Sequence, residues 1–135
     1  MGFRLKLVRG AAVTALLVAA SLAASPVSAA CAEDRVDLRG DWGTARFRVA
    51  IADTPETRAR GLMFVEEMPR NAGMLFVFPN ERPRSFWMRN TLIPLDIIYF
   101  DAAGRWVSVA AEAVPRDETG LPSEGPAQYV LEING

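Results

Sequence analysis

The stretch Leu95-Asp96-Ile97-Ile98-Tyr99-Phe100-Asp101-Ala102-Ala103-Gly104-Arg105-Trp106-Val107-Ser108-Val109-Ala110-Ala111 decides the fold class. Leu95 to Phe100 and Arg105 to Ala111 are short runs rich in β-branched and aromatic residues, the types that fit a pleated, half-buried surface. Between them lie Asp101 to Gly104, a turn with an aspartate and a glycine at its ends. Short β-type runs on either side of such a turn spell an antiparallel hairpin.

Upstream, Asn90 to Pro94 reads as a turn, because Pro94 holds Ile93 extended. Ser85 to Met88 is strand-like, and Pro79 to Arg84 is a polar loop. Met74 to Phe78 is an apolar run bounded by Gly73 and Pro79, short enough to be a buried strand. Met68-Pro69 and Asn71-Ala72-Gly73 mark a loop. Thr54 can cap a helix, Pro55 suits its first position and Glu56 complements its dipole, so a helix is expected over about 54–63. Gly61 marks either the end of that helix or a close approach by another backbone. Phe47, Val49 and Ile51 alternate with Arg46, Arg48 and Ala50 at the period of a half-buried strand. Residues 32–43 read as a short leading strand or a loose arm around Trp42.

Downstream, Pro115 to Pro126 is a loop long enough to be mobile or functional. Ala127 to Ile133 is a last strand with Tyr129, Leu131 and Ile133 on one face and Glu132 on the other. One helix among about six short strands predicts a β-dominated α+β domain, a small antiparallel barrel or sandwich.

The first thirty residues read differently. Arg4, Lys6 and Arg9 precede a charge-free run from Gly10 to Ala24, and Pro26 and small residues follow it. Basic head, apolar middle and small-residue end are the parts of a secretory signal peptide. The run is shorter than the roughly 20 residues that span a bilayer as a helix. With no Arg-Arg pair in the head, the general secretion route fits better than the twin-arginine one. Cleavage fits after Ala29 or after Ala30. The second choice exposes Cys31 to lipid attachment, although Ser28 stands where a lipoprotein signal usually has Leu. Residues 31–35 form a short leader before a domain at 36–135. The expected location is periplasmic or extracellular, with a lipid anchor on Cys31 as the variant reading.

Cys31 is the only cysteine, so an internal disulfide cannot form. Without Arg4, Lys6 and Arg9 the 15 basic residues fall to 12 against 16 acidic, a net charge of −4. That charge argues against nucleic acid and against a membrane surface as partner. After Lys6 the chain has neither Lys nor His, which leaves no Schiff-base lysine, no Ser-His-Asp triad and no histidine-bound zinc. Met63, Met68, Met74 and Met88 are scattered gap-fillers rather than metal ligands. No metal or cofactor is expected.

The chemistry-bearing residues concentrate in three segments, 60–64, 85–91 and 93–98. Asp96 interrupts an apolar strand, and a carboxylate there loses hydration unless it is paired. It is either structural, bonded to Arg89 or to turn N–H groups, or it faces a pocket with a raised pKa. Trp87 stands between Phe86 and Met88. If those two face the core, its indole faces out as a stacking platform; otherwise the strand is covered on both sides. Arg60 follows Glu56 by four residues, the spacing of a surface ion pair, or else it reaches an anion or Asp96. Asn90 and Thr91 either bond the local backbone or join the same polar site. Asp96 and Glu132 form the one strand-borne acid pair that glycoside-type catalysis could use.

Four segments then fall into a pattern: Arg-Gly-Leu-Met-Phe at 60–64, Gly-Met-Leu-Phe at 73–76, Phe-Trp-Met-Arg-Asn-Thr at 86–91 and Ile-Pro-Leu-Asp at 93–96. In this order they resemble the domain of unknown function 192 family across about residues 36–135. The resemblance implies a prokaryotic, often exported, compact β-rich domain without an established activity. Val65 stands where relatives often carry a basic residue, and Arg89 replaces a common Lys. The family pattern runs past Asn134-Gly135, so the resemblance implies truncation at the C-terminus.

These readings favour an exported binding or accessory module, monomeric, that contacts a small molecule, glycan or peptide through Arg60, Trp87, Asn90, Thr91 and Asp96. Two other classes compete with it: a carboxylate-dependent hydrolase of envelope glycan or peptide using Asp96 and Glu132, and a purely structural envelope protein. The first predicts a pocket open at Trp87 with one carboxyl, the second two carboxyls about 5–9.5 Å apart in one cleft, and the third no pocket.

Overall fold

In the computed structural model, which describes residues 34–135, eight strands and one short helix make a β-dominated α+β domain. The signal segment, the leader residues up to Glu33, and Cys31 lie outside the described residues. Six strands form one curled, half-barrel sheet in the order β1-β2-β3-β8-β5-β6: β1 (Arg35–Gly40), β2 (Gly43–Ala52), β3 (Ala72–Arg82), β8 (Ala127–Asn134), β5 (Leu95–Phe100) and β6 (Trp106–Ala113). The hairpin read from 95–111 is β5 and β6, paired antiparallel.

One pairing departs from an all-antiparallel sheet. β2 and β3 run parallel, with Val49 beside Gly73 and Ile51 beside Leu75. Parallel neighbours need a long crossover, and residues 53–71, including α1 (Pro55–Arg60), supply it. Thr54 caps α1 through its hydroxyl, which accepts from the Thr57 N–H at 3.1 Å, while the Thr57 hydroxyl accepts from the Thr54 N–H at 3.0 Å. The helix is shorter than the expected 54–63. Gly61, at φ 50, turns the chain out of helical geometry.

A second, two-stranded sheet of β4 (Ser85–Phe86) and β7 (Leu121–Pro122) closes over one face of the large sheet. The twelve-residue loop thus contributes β7. Phe86 meets Phe76 edge-on at 4.9 Å and Tyr99 at 5.9 Å between centroids. Tyr99 donates its hydroxyl to the Leu121 carbonyl at 2.5 Å. Around these rings lie Leu62, Met88, Leu95, Ile97 and Val130, all buried. The opposite face, which carries Leu131, Ile98 and Phe100, curls toward β1.

Candidate functional site

β8 is the centre of the sheet, flanked by β3 and β5. Glu132 stands between Met74 of β3 and Ile97 of β5 in register. Paired residues share a face, so its carboxyl enters the apolar side beneath α1 and β4. Only 5% of Glu132 is exposed. No ion pair or side-chain hydrogen bond reaches it among the described residues. No side-chain polar atom there is both fully enclosed and unpartnered, so the carboxyl keeps its contact with the space above it.

That space is a small pocket of about 40 Å³, room for roughly two or three waters. Glu132 forms its floor. The turn after α1 gives one wall through Gly61, Leu62 and Met63, and Phe76 and Phe86 give another. Thr91 and Trp87 complete it, and the arginines 58, 60 and 89 stand around it. A Cβ on Gly61 would lie 3.2 Å from the Phe76 ring, so the glycine also permits a close approach.

Burial pushes the Glu132 carboxyl up to about 8 from an ordinary 4.5. The cause is lost hydration with no cation or donor to offset it. At neutral pH it is mostly a neutral acid, able to donate one hydrogen bond and accept another. Burial also raises the Tyr99 hydroxyl, and the nearby Glu132 carboxylate adds to that shift.

The structure brings Arg60, Trp87 and Thr91 to this pocket. Trp87 is 46% exposed and lies under the Arg89 guanidinium at 5.4 Å, while Met88 beside it is buried. Thr91 is buried, and its hydroxyl donates to the Arg89 carbonyl at 3.2 Å. Arg60 forms no ion pair with Glu56 or Asp96 among the described residues. Asn90 lies outside the pocket wall. Its backbone is left-handed (φ 53) and its carbonyl accepts the Phe64 N–H at 2.9 Å.

Asp96 is elsewhere. It stands opposite Ile133, on the other face from Glu132, and accepts the Glu112 N–H at 2.7 Å. Glu112 is left-handed (φ 49) at an irregularity between β5 and β6, and the carboxylate satisfies the N–H that the bulge frees. The two acids do not share a cleft, and Asp96 does not line the pocket. Among the described residues no cluster of His, Cys, Asp and Glu could hold a metal, and no helix is long and apolar enough to cross a membrane.

Arg58, Met63, Phe76 and Phe86 are pocket residues that sequence reading missed. Arg58 hides its role best, because its guanidinium donates to the Asp53 and Val77 carbonyls at 2.5 and 2.9 Å.

Three of the four quoted segments therefore converge on one unpartnered carboxyl. The sequence matches the domain of unknown function 192 family, described as an uncharacterized ACR, over residues 36–135. The chain belongs to that family. It is similar to two crystal structures. One is a protein of unknown function from Novosphingobium aromaticivorans, 46% identical with a TM-score of 0.73, covering 75% of this chain and 72% of that one. The other, from Sinorhizobium meliloti and provisionally described as a transcription regulator, is 38% identical with a TM-score of 0.72, covering 75% and 79%. No curated protein matches.

Proposed function

We propose that this domain of unknown function 192 chain is an exported small-ligand binding module whose site is the Glu132 pocket. The observation that carries the reading is a single neutral carboxyl, unpartnered, at the floor of a pocket walled by Met63, Phe76 and Phe86 and opening beside an exposed indole. Sites of this kind pair apolar walls with a few convergent polar groups. The acid binds a hydrogen-bond acceptor on the ligand. Trp87 stacks on the ligand's flat or apolar part, and Arg60 favours negative charge near it, while Arg89 is paired with Glu118 at 3.7 Å. The pocket admits only a small group, so the rest of the ligand lies outside, along Trp87. DNA regulation has less support, since the domain is net acidic and its helix spans only Pro55–Arg60.

A hydrolase is the second reading. One observation favours it: a carboxyl poised at about 8 can transfer protons near neutrality. No second carboxyl lines the pocket, which leaves two-carboxylate glycosidic chemistry without its partner.

The test is a screen of envelope fragments (N-acetylated sugars, short peptides and amino acids), read by the Trp87 indole N–H resonance. A true ligand shifts that resonance in wild type and in Asp96→Ala, and fails to do so in Glu132→Leu. A shift that persists in Glu132→Leu, or a complete absence of hits at Trp87, removes the pocket as the site.

A further inference from the structure

The other face of the sheet carries a second feature. The half-barrel is not closed. Its two edge strands, β1 and β6, border a groove of about 530 Å³, far larger than the Glu132 pocket. Leu38, Ile98 and Phe100 line it together with Trp42, Trp106 and Val109. Trp42 and Trp106 are 68% and 63% exposed.

The pairing order fixes the strand directions. β1 is antiparallel to β2, β2 is parallel to β3, and each later step through β8 and β5 to β6 is antiparallel. β1 and β6 therefore point the same way along the groove. One inserted strand running the opposite way would be antiparallel to both. Among the described residues, β1 pairs only with β2 and β6 only with β5, and no loop bonds the backbone of either outer edge. The loop contact at β6, from the Glu124 N–H, goes to the Ser108 side-chain hydroxyl at 3.1 Å. Free edges of this kind are templates for an added strand.

Charge narrows the choice of occupant. Arg39 and Arg105 border the groove with one acid, Asp37. That acid is already engaged. Arg46 bonds it at 2.8 Å, and Arg35 and Arg39 lie at 3.7 and 3.9 Å. The bond from Arg46 holds the Asp37 carboxyl below the usual range, with Arg35 and Arg39 adding to the effect. The groove thus offers uncompensated positive charge beside apolar walls.

We infer that this seam accepts an extended acidic peptide as a seventh strand, apolar at alternate positions, through backbone hydrogen bonds to β6 and β1. Its inward side chains meet Leu38, Ile98 and Phe100. Its acidic residues lie toward Arg39 and Arg105, and Trp42 and Trp106 cover its flanks.

The test titrates the full chain, labelled with nitrogen-15, with a capped heptapeptide of alternating Glu and Val. The expected result is saturable binding with slowed amide exchange along 106–113 and 35–40. Trp106→Ala, at an exposed position, should weaken it at least tenfold, as should a Lys-for-Glu peptide. A peptide N-methylated at alternate residues, with the same side chains, should not bind. Equal binding of the N-methylated peptide would reduce the groove to an apolar or ionic cleft and overturn the inference. So would no binding at all, or edge protection that appears without peptide and rises with protein concentration, which would identify a second copy as the occupant.

Discussion

Asp96 and Glu132 lie on paired strands one register step apart, Asp96 opposite Ile133 and Glu132 opposite Ile97, yet their carboxyls leave opposite faces of the sheet. One acid closes a backbone bulge, while the other floors a pocket without a partner. Side-chain direction alternates along a strand, so neighbouring positions can have unrelated fates.

The first prediction concerns Asp96. Asp96→Ala leaves the Glu112 N–H without its acceptor, and the expected cost is about 1–2 kcal/mol. Asp96→Asn keeps an acceptor oxygen and should cost less. Chemical denaturation measures both, and faster exchange of the Glu112 amide in the alanine variant locates the effect. A stability unchanged by Asp96→Ala would show that the bulge does not need its carboxylate.

The second concerns Glu132 and pH. Its native value of about 8 lies above the ordinary 4.5, so the folded state holds a proton that the unfolded state gives up. Stability from this group is complete below about pH 4.5 and is lost as pH rises through 8. The slope is at most about 1.4 kcal/mol per pH unit. The chain has no histidine, which leaves that window unusually clear of other side chains. Glu132→Gln should flatten the decline in denaturation midpoint between pH 5 and 8. Equal slopes in both proteins would mean that the carboxyl is not held neutral.

Most of the fold was legible in the sequence because its signals are local. The alternation of Phe47 and Val49, the apolar run Met74 to Phe78 and the hairpin around Asp101 to Gly104 each specify a strand without reference to the rest. The parallel pairing of β2 with β3 was not legible, because it depends on where a nineteen-residue crossover delivers the chain. The site divided in the same way. Trp87 and Arg60 stand out by type. Glu132 was legible only as half of an acid pair with Asp96, because alternation with Leu131 and Ile133 says which face it takes and not that both faces are covered. Asp96 drew attention as an acid inside an apolar run, and its bulge partner sixteen residues away was invisible.

The third prediction is at Gly61. Its φ of 50 disfavours a side chain, and a Cβ would come within 3.2 Å of Phe76. Gly61→Ala should therefore destabilise by about 1–2 kcal/mol. It should also move the Phe76 ring against the pocket wall, seen as a changed Phe76 ring resonance and a weakened ligand response at Trp87. A variant as stable as wild type would show that the turn after α1 relaxes freely.

The fourth is at Phe64 and Asn90, which face each other through one backbone hydrogen bond while both are left-handed, at φ 66 and 53. Asparagine tolerates that region; a phenylalanine there costs about 1–2 kcal/mol. Phe64 is 62% exposed, so burial returns little of that cost. Strain kept in an exposed aromatic, directly after the pocket residue Met63, fits a side chain retained for binding. Phe64→Gly relieves the strain but loosens the unfolded chain, so the thermal midpoint should hold steady or rise while ligand binding at Trp87 weakens severalfold. Asn90→Ala should lower the midpoint where Asn90→Gly does not. If Phe64→Gly instead lost stability and left binding intact, the ring would be a packing residue, and the left-handed pair would belong to the fold rather than to the site.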